Sequence, residues 1–168
     1  MRARRLLILV LFVAVTSLRS APDCLLPLPS SETQRVITHA DAVYVFPYTD
    51  SARDFLRAYA HGRTNEAQHQ VDRKDWRLLG RSARERLVAI LGDSHNWEQL
   101  GFVIEPPAQL SVGVVFRTST DELVLFFNPI SVDGAFRSCF LSAVLKDQPR
   151  AQLEKWKRRY ARSEIEGR

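Results

Sequence analysis

The chain has 168 residues, 24 of them basic and 19 acidic, for a formal net charge of +5, and it carries only two cysteines. The excess is local: Arg2, Arg4, Arg5 and Arg19 precede residue 21 with no acidic residue beside them, so from Ala21 onward 20 basic residues stand against 19 acidic, or +1. That balance excludes a globally basic nucleic-acid binder, and the roughly 145 residues after the leader suit one domain with one core.

The first element is a leader. Three arginines precede an unbroken apolar run over 6–15, and Thr16, Ser17, Ser20 and Ala21 then supply small residues. This order reads as a secretory signal peptide over 1–20. The run is shorter than the roughly 20 residues of a membrane span, so no transmembrane span is expected in the mature chain, which is assigned to the periplasm or the extracellular space. Pro22 disfavours cleavage after Ala21, so cleavage after Ser17 or Ser20 is expected. Cys24 sits near the position of a lipid anchor, but Asp23 precedes it where bacterial lipidation wants a small neutral residue. In an oxidising compartment the even pair Cys24 and Cys139 is expected to form a disulfide.

Residues 21–40 read as an extended lead-in and a short helix, with Ser31 and Gln34 as its cap. A single α+β domain is expected over 41–163, and a tail over 164–168. Within the domain, 42–48 is rich in β-branched and aromatic residues and reads as a strand whose end is weakened by Pro47. Asp50 caps a helix with Ala52, Phe55, Leu56 and Tyr59 on one face, and Gly62 ends it. A polar loop over 61–72 leads to a short strand over 76–79. Ser82 and Glu85 form a capping box for a helix with the stripe Ala83, Leu87, Ile90 and Leu91, stopped by Gly92.

A long connection over 93–109 follows, with a short strand placed at 102–104. Strands over 112–118 and 122–127 form a hairpin about Ser119, Thr120 and Asp121. Both faces of the second strand are apolar, so helices are expected to cover both sides of it. A third strand is placed over 135–141, carrying Cys139. A last helix runs over about 148–162, with Pro149 in its first turn. The fold class is α+β: a mostly antiparallel sheet of about four to five strands with three helices packed on it.

The segment 75–127 resembles a pattern met in small exported bacterial proteins without an assigned activity. Its marks are Trp76-Arg77-Leu78-Leu79-Gly80, the Ser82 helix, and Gly113-Val114-Val115-Phe116. The resemblance implies a fold and a compartment. Such proteins often carry cysteines beside the hairpin strands. Glu105, Pro106 and the run 123–127 stand there in this chain, so no metal or redox role is carried over.

No cofactor or metal is expected, because His39, His61, His69 and His95 form no His-x-His pair and no His-Glu-x-x-His signature. Gly80-Arg81-Ser82-Ala83-Arg84 lacks the second glycine of a nucleophile elbow. Asp93, Ser94 and His95 are adjacent in sequence, whereas catalytic triads meet through the fold. Glu98 and Glu105 flank a candidate cleft, where carboxyl pairs in glycoside chemistry stand about 5–9 Å apart.

The last helix carries the most specific surface signal. Leu153, Trp156 and Tyr160 share one face, while Lys155, Arg158, Arg159 and Arg162 share the opposite face at i, i+3, i+4 and i+7. These four are the expected binding residues, and the expected partner is an unknown protein or an anionic envelope surface rather than a specific nucleic acid. The function read from the sequence is an exported, non-enzymatic domain for protein or cell-envelope interaction. The alternative is a small periplasmic hydrolase-like enzyme with a polar site near Asp93, His95, Glu98 and Glu105.

Overall fold

The computed structural model describes residues 25–47, 54, 75–98, 112–127, 131–137 and 139–161; the side chains of residues 25–27, 140 and 161 are outside this description. The expected signal peptide, the helix after Asp50, the 61–72 loop, and the 102–104 strand all fall outside the described residues. So do Cys24, Glu105 and Arg162.

Eight strands are described: β1 (Leu25–Pro27), β2 (Ala42–Pro47), β3 (Arg77–Leu78), β4 (Trp97–Glu98), β5 (Val112–Arg117), β6 (Glu122–Phe127), β7 (Val132–Phe136) and β8 (Cys139–Leu145). The helices are α1 (Ser31–Thr38), α2 (Arg81–Leu91) and α3 (Asp147–Trp156), with a 3-10 turn at Ser94–Asn96 and a π-helical turn at Lys157–Ala161. Seven strands run in the order β1-β8-β7-β6-β5-β2-β3, and β4 pairs with the end of β8. Among the described strand pairs, only β1 with β8 is parallel.

The class is therefore α+β, but the expectation of four to five strands is corrected to eight. Two causes account for most of the difference. The segment read as one strand over 135–141 is divided between two, with Phe136 opposite Cys139 across a tight turn. Arg137 makes that turn at φ 53, a conformation usually signalled by Gly or Asn. The other cause is that β1 and β4 are three- and two-residue strands supported by β8, too short to show any period of their own.

The sheet rows explain which side chains meet. Val45, Val114, Leu125, Gly134 and Leu141 lie side by side across five strands. This row and the adjoining ones, with Phe116, Leu123, Phe127 and Phe136, form one core with Val36 and Ile37 of α1, Leu87 and Leu91 of α2, and Leu153 and Trp156 of α3. Gly134 in that row is forced: a Cβ there would run into the backbone carbonyl of Val124. The reverse face is buried as well, with Phe126 and Val115 fully enclosed. Phe46 packs edge-on against Phe126 at 5.6 Å and stacks on Trp76 at 6.0 Å. The Arg117 guanidinium lies over Tyr44 and Trp76, 5.1 and 5.3 Å from the ring centres.

Helix starts differ from expectation by one or two residues. In α1 the cap is Ser30, not Ser31: its Oγ accepts from the Thr33 N–H at 3.2 Å, and the Thr33 hydroxyl accepts from the Ser30 N–H at 3.0 Å. In α2 the cap is Gly80, with no side-chain bond. Leu79 still extends the pairing of β3, donating to the Val43 carbonyl at 2.9 Å, so the helix begins directly behind it. Glu85 pairs with Arg81 at 2.8 Å rather than with Ser82, and that contact raises the Arg81 pKa.

Candidate binding surface on the last helix

Helix α3 is fixed to the core by its apolar side. Pro149, Leu153 and Trp156 are buried. Trp156 donates its indole N–H to the Ala83 carbonyl of α2 at 2.8 Å and meets Phe127 edge-on at 6.4 Å. Ala89 of α2, small and exposed, leaves the space beside the indole open.

That space is an open groove of about 420 Å³ between α2 and α3. Ala89, Ile90 and Trp156 form its apolar part; Arg86, Lys155 and Arg159 stand around it, and no carboxylate is among the described residues that line it. Tyr160 closes one end, half-buried, with the Arg159 guanidinium 5.5 Å and the Arg86 guanidinium 6.0 Å from its ring centre. Both distances are within the range of cation–π attraction.

Lys155, Arg158 and Arg159 are exposed, whereas Arg162 lies outside the described residues. Lys155 and Arg159 do not lie opposite the aromatic face, as expected; they flank Trp156 and Tyr160 around the groove, as helical spacing allows, since Arg159 is three residues from Trp156 and four from Lys155. After Trp156 the helix changes to a π turn over Lys157–Ala161. Lys157 is drawn away to Glu154 at 2.6 Å. Sequence reasoning missed Arg86 and Ala89, whose role depends on α2 and α3 lying side by side.

Of the residues of the alternative hydrolase site, Asp93 and His95 lie in a turn and Glu98 in the strand after it; Glu105 is outside the described residues. Asp93 accepts from the His95 backbone N–H at 2.9 Å and contacts its ring at 3.0 Å. This lowers the Asp93 pKa, chiefly through the backbone bond. Both side chains are largely in water, 52% exposed for Asp93 and 90% for His95. Neighbouring Asn96 and Trp97 donate to the Ile90 and Leu91 carbonyls, at 2.9 and 3.0 Å. They thereby satisfy the last acceptors of α2, which have no partner within the helix. Glu98 is half-buried in β4. This segment ends a helix.

Two other polar clusters are described. Asp133, 4% exposed, accepts from Ser131 at 3.0 Å and Ser142 at 2.7 Å. Asp121, in the β5–β6 turn, accepts from Arg35 of α1 at 2.7 Å and from Arg137 of the β7–β8 turn at 3.2 Å. Arg35 is the main cause of its lowered pKa. Among the described residues no group of three or more His, Cys, Asp or Glu could hold a metal ion, and no helix is long and apolar enough to cross a membrane. Cys139 is 9% exposed and is not a free thiol.

No family model, curated protein or solved structure matches the chain.

Proposed function

We propose that this is an exported, non-enzymatic domain that docks on the anionic surface of the cell envelope through its last helix. The observation that carries the reading is the division of α3: Leu153 and Trp156 are buried and hold the helix in place, while Lys155, Arg158 and Arg159 stay exposed. A basic residue near an anionic membrane contributes about 1 kcal/mol. Three such residues together favour the bound state by about a hundredfold. Export rests on the arginine-rich start and the apolar run over 6–15.

A bridge between Cys24 and Cys139 belongs to the same reading. It is supported by the even pair of cysteines downstream of the leader. Cys139, opposite Phe136 at the start of β8, is the cysteine of that pair among the described residues. The test of docking is co-sedimentation with phosphatidylglycerol vesicles. Replacing Lys155, Arg158 and Arg159 together by serine is expected to reduce partitioning about a hundredfold. A triple variant that partitions like the parent would refute the reading.

A further inference from the structure

The groove between α2 and α3 extends this reading and rests on it. It combines two chemistries that a solvated helix face would not need to combine. Ala89, Ile90 and Trp156 offer apolar surface, while Arg86, Lys155 and Arg159 stand around it, with no carboxylate among the described lining residues. Two of the three cations belong to the proposed docking helix; the third, Arg86, comes from α2.

We infer that this groove binds one anionic phospholipid, with the head-group phosphate between Arg86 and Arg159 and the adjoining apolar part on Ala89, Ile90 and Trp156. Guanidinium suits a phosphate because its planar N–H edge can give two parallel hydrogen bonds. Both guanidinium groups lie over the Tyr160 ring, 6.0 and 5.5 Å from its centre, which holds them beside the groove. The volume of about 420 Å³ falls within the roughly 300–1,000 Å³ of small-molecule sites. It accommodates a head group and the start of a chain, leaving the rest of the lipid in the bilayer on which α3 would lie.

The test is titration of the purified protein with dihexanoyl phosphatidylglycerol, dispersed below its micelle concentration and followed by tryptophan fluorescence and calorimetry. Saturable binding is expected, with dihexanoyl phosphatidylcholine and inorganic phosphate each weaker by about tenfold or more, the equivalent of one lost charged contact. Arg86→Ser should weaken phosphatidylglycerol binding by a similar factor, and Ala89→Trp, which fills the groove from an exposed position, should abolish it; thermal melting confirms that both variants fold. The inference is overturned if phosphatidylcholine, phosphate or a glutamate-rich peptide binds as tightly as phosphatidylglycerol, or if either variant binds like the parent. Failure here with salt-sensitive vesicle binding intact removes the groove and leaves the docking helix. Binding of the dispersed lipid without vesicle binding keeps the groove and removes the docking surface.

Discussion

Truncating Trp156 tests whether α3 is a fixed platform. The side chain is 3% exposed, meets Phe127 edge-on, and bonds the Ala83 carbonyl. Trp156→Ala is expected to cost about 3–5 kcal/mol, as for other buried aromatics. Trp156→Phe separates the contributions. The Ala83 carbonyl keeps its intrahelical donor, the N–H four residues on, so losing the indole bond costs about 0.5–1.5 kcal/mol. The smaller ring adds about 1 kcal/mol, for a total near 2. Urea denaturation followed by far-UV circular dichroism measures both. At about 3 °C per kcal/mol for a chain of this size, the alanine variant should melt about 9–15 °C lower. Arg158→Ser, on the exposed side of the same helix, should change stability by no more than about 0.5 kcal/mol. A loss under about 1 kcal/mol for Trp156→Ala, or equal losses for all three variants, would refute the packing described for α3.

Lowering the pH should loosen the contacts of Asp121. Its folded pKa lies below its unfolded one because Arg35, and less so Arg137, favour the carboxylate. Its contribution to stability is therefore complete above the ordinary aspartate value of about 3.9 and is lost as pH falls through the lower folded value. The melting-temperature gap between the parent and Asp121→Asn should shrink over that acidic window; a constant gap would contradict it. Gly134→Ala should cost about 1–3 kcal/mol or more, since its Cβ would meet the Val124 backbone, which cannot swing aside as a side chain can; a neutral result in the same urea assay would count against the register of β6 with β7. Intact mass of the exported protein, alkylated with and without reduction, should show an N-terminus between Ser17 and Asp23 and no thiol before reduction. A retained Met1, or two labelled thiols, would contradict export or the bridge respectively.

The central hairpin was legible because local chemistry and pattern agree. Residues 112–127 are rich in Val, Leu and Phe, and the turn is closed by Thr118 Oγ1, which accepts from the N–H groups of Thr120 and Asp121. The next hairpin was not, because Arg137 carries the left-handed turn with no glycine or asparagine to mark it. The basic residues of α3 were visible in the sequence, but their placement around Trp156 was not. Arg159 follows Trp156 by three residues and shares its side of the helix, and that side gains a groove only where α2 packs beside it. The groove depended on still more distant information: Ala83 and Ala89 are ordinary helix residues until Trp156, on a helix more than sixty positions later, packs beside them.

The central claim is that the exposed basic side of α3 meets an anionic surface, and salt is its most direct probe. Raising ionic strength from about 0.1 M to 1 M shortens the screening length from about 10 Å to about 3 Å. Partitioning of the purified protein should be measured across that range on phosphatidylglycerol-containing vesicles and on vesicles of phosphatidylcholine alone. The account predicts binding to the anionic vesicles at low salt, progressive loss as salt rises, and little binding to the neutral ones. Equal partitioning on both vesicles, or partitioning unchanged at 1 M salt, would contradict it.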